Sequence, residues 1–362
     1  MKVLIVFNHP APYKVHIFNE IAKYVDLTVI FERTKASDRP DEFYSANRYN
    51  FECIFLTDHY IGNEGTTSNK VKDYIKKYHK SFDEIIMNGY SHSAEIKAIR
   101  YMKKHDIPFT LLINGGVIHS KEIFIKKLIK SSLIKTANWY MSPSKKSNEY
   151  LMYYGAKKEQ IYNYPYSNFS EKEINAGEVD VKKIREKYNL PLNKKIFINP
   201  SQFIDRKNNL QLLEMFVNRE EHLLLVGKGP EEEKYHDFIN KHQMNNVTIL
   251  PFLKKDELFE LLKSVDAFIT LAKEDIFGHT TLEALANGLP VISSNKVISS
   301  LEYIKDGYNG YIVDLNNKEE IKNAIDNIFS IKKENTYESV KNNTFEACGK
   351  AIYQILKEKN NG

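Results

Sequence analysis

Asp275 and Glu283 stand on either side of the run Phe277-Gly278-His279-Thr280-Thr281, with Gly288-Leu289-Pro290 and an apolar run just beyond. Glycine at 278 can take backbone angles closed to other residues, and Thr280 is a good N-cap. The spacing therefore predicts a tight loop opening a helix at about Thr281, with Asp275 in the loop and Glu283 in the first turn. The N–H groups and positive dipole end of such a helix start form an anion pocket suited to a phosphate. A second reading is purely structural. Thr280-Thr281-Leu282-Glu283 fits a capping box, in which the glutamate satisfies a backbone amide, and Asp275 is then a solvated loop carboxylate.

Whatever positions these residues follows a regular alternation. The runs KVLIVF, LTVIF, ECIFL, EIIMN and FTLLI are separated by segments whose apolar residues recur at three and four positions, such as AEIKAIRYMKKH. A second series, KIFIN, HLLLVG, NVTILP, DAFITL, PVISS and GYIV, repeats the alternation. Between them Tyr162 to Asp180 is polar, carries Pro165 and Gly177, and reads as a linker. The fold class expected is α/β, with two Rossmann-like, doubly wound parallel-sheet domains facing an interdomain cleft, at 1–168 and 169–344. The last helix pattern, 345–362, can complete either domain and is assigned to the first. In such sheets ligands sit outside the carboxyl ends of the strands, so residues just after strands are the ones to inspect.

Asp275 to Glu283 followed by ALANGLPVI resembles the acidic-x7-Glu signature of the retaining GT-B glycosyltransferases of family four. The usual first residue there is glutamate; here it is Asp275, with Glu274 one position away. The likeness spans nearly the whole second domain, through INPSQFIDRKNNLQLLEMF, LLLVGKGPEEEKY and NVTILPFLKKDELFELLKSVDAFITLAKED in matching order. It implies that Lys207 binds the nucleotide diphosphate, beside Arg206, with Gln202 where many members carry arginine. It further implies that Glu283 holds the ribose hydroxyls, Asp275 the sugar hydroxyls, the backbone of Gly278, His279 and Thr280 the sugar and phosphates, and Phe252 the nucleobase, with Phe277 and Thr281 also among the donor-binding residues. The Gly227-Lys228-Gly229 turn is weak evidence by itself.

In the first domain, His9, Pro10 and Pro12 follow the first strand, and a helix is expected from about Tyr13, in a Pro-Tyr-Lys arrangement similar to that of some bacterial polysaccharide transferases. The loops after the fourth and fifth strands offer Tyr90, His92, Asn114, Gly115, Gly116 and His119 to an acceptor or sugar. His9 and Tyr13 are assigned to the same acceptor or sugar cleft. Family likeness makes His119, with Asp275 and Lys207, a candidate catalytic residue and the candidate contact to the transferred sugar, against a reading as a helix-start residue. No Asp-x-Asp occurs, so the metal-diphosphate device of the other large glycosyltransferase fold is missing. No metal and no cofactor are expected, and Lys207, Arg206 and the helix start carry the leaving diphosphate.

The two cysteines, Cys53 and Cys348, cannot form a disulfide framework, and no apolar run approaches the ~20 residues of a membrane span. A net charge of +5 favours anionic partners without naming one, and no nucleic-acid-binding motif is present. Lys121 to Lys135 carries five lysines against one glutamate. On a helical wheel Lys126, Lys127 and Lys130 share a face with Ile123 and Ile134, while Phe124, Ile125, Leu128 and Ile129 fall opposite, a mixture suited either to an anionic membrane surface or to a solvated domain face. The reading is a cytoplasmic enzyme, peripheral on the inner face of the plasma membrane, that moves a sugar with retention from a nucleotide diphosphate sugar, UDP favoured, to a glycan or lipid-linked glycan in bacterial surface polysaccharide synthesis. The rivals are a non-catalytic GT-B subunit and a GT-B nucleotide-sugar epimerase.

Overall fold

The computed structural model describes residues 1–36, 44, 48–57, 69–119, 122–175 and 177–361. Lys121, which opens the lysine-rich segment, lies outside them. The chain divides into two compact units, Met1–Asn168 with Asn343–Gly362, and Phe169–Asn342.

In the first unit the described strands are β1 (Lys2–Phe7), β2 (Asp26–Phe31), β3 (Glu52–Phe55), β4 (Glu84–Met87), β5 (Thr110–Leu112), β6 (Trp139–Ser142) and β7 (Ile161–Asn163). They form one sheet in the order β3-β2-β1-β4-β5-β6-β7, and every pairing is parallel. Val3, Leu4, Ile5 and Val6 are all buried, as a central strand covered on both faces requires. The helices are α1 (Pro12–Ala22), α2 (Lys70–Tyr78), α3 (Ser93–Lys104), α4 (Phe124–Ile134) and α5 (Lys145–Tyr153). The order reverses between β1 and β4, which makes their carboxyl ends the switch point of this sheet.

The second unit holds α6 (Val181–Lys187), β8 (Ile196–Pro200), α7 (Asn209–Met215), β9 (His222–Val226), α8 (Glu232–Lys241), β10 (Val247–Leu250), α9 (Lys255–Leu262) and β11 (Ala267–Thr270). It continues through α10 (His279–Ala286), β12 (Val291–Ser294), α11 (Ile298–Tyr303), β13 (Gly310–Val313), α12 (Lys318–Asn327) and α13 (Lys333–Val340). Its parallel sheet runs β10-β9-β8-β11-β12-β13, with the switch point between β8 and β11. The fold class read from strand and helix alternation is the one observed.

The last helix, α14 (Phe345–Asn361), packs on α1 of the first unit. Cys348, Ile352 and Leu356 are buried in that contact, and burial of each large apolar side chain contributes roughly 1.5–3 kcal/mol. Lys359 pins its far end by an ion pair to Glu84 at 2.9 Å. The segment read as a linker from Tyr162 needs correction. Residues 161–163 are the edge strand β7, and Tyr164, Tyr166 and Phe169 are buried, so aromatic packing holds the first part of that stretch in the first unit.

Candidate functional site

The two loops that leave the second unit's switch point are tied together. After β8 the chain makes a short 3-10 turn at Asp205–Lys207, which ends at Asn208 in the left-handed conformation, φ 59°. The Asn208 amide donates to the Leu271 carbonyl at 2.9 Å, so the turn is anchored to the start of the loop after β11. Lys273 N–H donates to the Arg206 carbonyl at 2.8 Å, and Arg206 returns a bond to the Glu274 carbonyl at 3.3 Å. Across this seam Lys207 Nζ meets Asp275 Oδ2 at 2.5 Å, with the side chains only 13% and 16% exposed. Lys207 thus reaches the Asp275 carboxylate, while Glu274 offers Arg206 its main chain.

The Asp275 loop is also braced from behind. Asp275 N–H donates to the Lys296 carbonyl at 3.1 Å, Ile298 N–H to the Asp275 carbonyl at 3.3 Å, and Ser299 N–H to the Phe277 carbonyl at 2.7 Å. Gly278 sits at φ 86°, where a Cβ would lie 2.5 Å from Val297, so both its backbone angle and its neighbour require glycine. Gly278, not Thr280, is the N-cap, and α10 begins at His279 with no side-chain cap. The expected helix start at Thr281 and the capping box are therefore corrected. Glu283 falls beyond the first turn and is 8% exposed. Thr281 faces inward, its hydroxyl 3.3 Å from that of Ser300. Thr280 and His279 are half-buried at the helix start, and the His279 ring lies 5.0 Å from that of the buried Phe277. A helix start without a side-chain cap is a preorganised anion pocket, here beside a lysine and an aspartate.

Gln202 is half-buried in the loop after β8, and Phe252, beyond β10, is 52% exposed. The Gly227 turn presses on this loop so closely that a Cβ there would fall 1.9 Å from the Ser201 carbonyl.

In the first unit the carboxyl-end loops carry a different set. His9 Nδ1 lies 3.1 Å from the Tyr44 hydroxyl, and Tyr13 meets Tyr166 edge to face at 6.3 Å. His92 is the N-cap of α3 in a capping box with Glu95, which gives it a structural task. The Tyr90 hydroxyl bonds that of Tyr150, and burial raises the pKa of Tyr90. Gly116 backs onto the Tyr150 ring, where a Cβ would sit 2.5 Å away. His119 is exposed in the loop after β5, ahead of α4, so it is not a helix-start residue.

Several residues here escaped the sequence reading. Lys14 is buried in the first turn of α1 and donates to Asn114 Oδ1 at 2.6 Å; Asn88 lies beside it. The signal was present, since Lys14 falls on the apolar stripe formed with Ile17, Phe18 and Ile21. Glu122 accepts from Lys130 and from the Tyr154 hydroxyl, each at 2.6 Å. Among the described residues one group, Glu32, His92 and Glu95, is close enough to share a metal ion. Glu95 is already committed to the Ser91 and His92 amides at 2.7 and 3.1 Å, and the group belongs to the first unit, whereas Asp275 and Lys207 belong to the second.

The lysine face proposed for α4 also changes. Lys130 is turned to Glu122, Lys127 lies 4.0 Å from the centre of the Tyr153 ring, and Ile134 is buried. Of Lys126, Lys127 and Lys130 only Lys126 is exposed, and beside it Ile123, Phe124 (70%), Ile125, Leu128 and Ile129 are exposed as well. No helix among the described residues is long and apolar enough to cross a membrane.

Residues 180–347 match the family Glycosyl transferases group 1. The chain is 27% identical over 199 residues to N-acetyl-alpha-D-glucosaminyl L-malate synthase of Bacillus anthracis, covering 51% of each chain. It is 26% identical over 145 residues to the lipopolysaccharide core biosynthesis glycosyltransferase LpsE of Rhizobium meliloti, covering 40% of this chain and 42% of that one. The chain spans about half the length of the curated relatives it matches. Among solved structures, the lipopolysaccharide outer core galactosyltransferase WaaB superposes with a TM-score of 0.76 at 16% identity, over 99% of this chain and 100% of that one. Anabaena HepE with UDP superposes with a TM-score of 0.77 at 16% identity over 100% of both chains. The stretch that matches the glycosyl transferases group 1 family, residues 180–347, contains the Lys207–Asp275 pair and α10, and the whole chain shares the fold of those solved structures.

Proposed function

We propose that the protein is a metal-independent, retaining glycosyltransferase that moves a sugar from a UDP-sugar to a glycan or lipid-linked glycan in surface polysaccharide synthesis. The observation that carries this is the Lys207–Asp275 pair, held at 2.5 Å at the switch point beside the uncapped start of α10. Lys207, with Arg206, and the first-turn amides of α10 bind the diphosphate, so developing leaving-group charge meets preorganised donors and needs no ion. Asp275 accepts from sugar hydroxyls and is oriented by Lys207 until the donor arrives. Glu283 takes the ribose hydroxyls, and the exposed Phe252 ring stacks on the base. Loops of the first unit, with His9, Tyr90, Asn114, Gly115, Gly116 and His119, serve the acceptor and the transferred sugar. Retention follows if the acceptor attacks from the face the diphosphate leaves, handing its proton to a diphosphate oxygen as the sugar C–O bond breaks.

The place of action is the cytoplasmic face of the membrane, and α4 supports it in a modified form. Five large apolar residues exposed on its first turns, among lysines, suit an interfacial helix that lies in the headgroup region. Because the Lys127 and Lys130 heads are engaged within the fold, attachment is led by apolar insertion and resists salt. Flotation with anionic vesicles at low and high salt tests this, and Phe124→Ser with Leu128→Ser abolishes it if α4 is the anchor.

The activity is tested by following UDP release from a panel of UDP-sugars, with and without excess EDTA. Release that persists in EDTA, with the product anomer retained by NMR, is expected. UDP binding with no turnover under any condition would point to a non-catalytic subunit, and conversion of donor without an acceptor to an epimerised sugar would point to an epimerase.

A further inference from the structure

Lys14 occupies a position that resists a cation in three ways. Its side chain is 1% exposed, it lies in the first turn of α1 where the helix dipole is unfavourable, and among the described residues no carboxylate pairs with it. Burial accordingly pushes its pKa down to about 7. The nitrogen lies 4.5 Å from the centre of the Tyr166 ring and 5.5 Å from that of Phe7, and donates to Asn114 Oδ1 at 2.6 Å. An apolar residue would pack here at lower cost, so the contact to Asn114 is the feature that only a lysine supplies.

Asn88, at the carboxyl end of β4, donates to the same Asn114 oxygen at 3.4 Å and to the Leu112 carbonyl at 3.4 Å. With two donors converging on one atom, that atom is the carbonyl oxygen, and the orientation of the Asn114 carboxamide is decided. Its NH2 group has no partner among the described residues, and Asn114 is only half-buried, at the head of the Asn-Gly-Gly run that follows β5. The run itself is held, because Gly116 backs onto the Tyr150 ring.

We infer that Lys14 is a positioning residue that fixes the Asn114 carboxamide so that its NH2 group is offered to an oxygen of the bound sugar substrate, with Asn88 as the second clamp. The clamp stands on the contacts of the first unit; the class of ligand rests on the glycosyl-transfer reading. Lys14 touches no substrate and acts only through Asn114.

The test is a double-mutant cycle on the full chain, using the UDP-sugar of the panel that the parent hydrolyses fastest. Lys14→Met and Asn114→Ala should each lower kcat/KM about tenfold or more, and the double variant should be no worse than either, because both remove one device. Melting temperature should not fall in Lys14→Met, which separates positioning from a folding role. Additive losses, or a Lys14→Met enzyme as active as the parent, would overturn the inference. A second arm needs no turnover: the Asn114 side-chain amide resonance, identified by its loss in Asn114→Ala, should move in Lys14→Met without ligand. An unmoved resonance would sink the clamp. A moved resonance in a parent that hydrolyses no UDP-sugar would keep the clamp and count against glycosyl transfer.

Discussion

Each sheet delivers a lysine to its switch point, and the two lysines are treated differently. Lys207 follows β8 and meets the carboxylate of Asp275 from the loop after β11, in a partly exposed seam. Lys14 follows β1 and is fully buried against the Asn114 carboxamide and the Tyr166 and Phe7 rings, with the buried Cys348 thiol also near it and no carboxylate paired with it among the described residues. The same topology therefore supports two kinds of site. An ion pair at the surface of a loop seam can exchange one partner for a phosphate at modest cost, whereas a buried lysine without a counter-ion can only hold a neighbour in place.

Predictions that would break or sharpen this contrast begin with Lys14. Its pKa in the fold, about 7, lies below the ordinary 10.5, so between those values the unfolded chain carries a proton that the folded chain sheds. Stability from this group thus rises as pH increases from about 7 to 10.5, and its cost is full at and below pH 7. The gap corresponds to at most ~5 kcal/mol, and Lys14→Met should recover a few kcal/mol at pH 7 and nothing above pH 10.5. Denaturant titration at several pH values measures it; a uniform effect across pH would mean that Lys14 is charged in the fold and that the contrast with Lys207 fails. Next in size, Asp275→Asn should reduce sugar transfer about 100-fold, ~2.7 kcal/mol, while changing UDP affinity little. Parent-like turnover would reduce the pair to a structural tie. Lys207→Ala should weaken UDP about tenfold by calorimetry, ~1.4 kcal/mol, and leave binding of the bare nucleoside unchanged. Equal losses for both ligands would remove the diphosphate role. Smallest is Arg206→Ala, expected within about threefold of the parent for UDP, because Arg206 is a surface residue bonded to a loop carbonyl. A larger loss would transfer the diphosphate from Lys207 to Arg206.

Much of the site was open to reading along the chain, because its parts lie just after strands whose apolar runs are unmistakable. Strands β6 and β7 were missed. Trp139-Tyr140-Met141-Ser142 is short and holds no β-branched residue, and Ile161-Tyr162-Asn163 is an edge strand that looks like the turn-rich stretch after it. The start of α10 was misjudged by two residues because Thr280 is the better cap by type, whereas contacts from Val297 and Ser299 place Gly278 in the left-handed conformation and make it the cap.

What the chain alone determined is the two-sheet α/β class and the placing of Asp275, Glu283 and Lys207 near strand ends, since periodicity and glycine are local properties of sequence. Only the tertiary structure decided that Lys207 closes on Asp275, that α10 starts at His279 and leaves Glu283 beyond its first turn, that Lys130 turns to Glu122, and that Lys14 donates to Asn114. Each of these depends on which residues distant in the chain become neighbours, and a side chain's charge, partner and exposure are set by those neighbours.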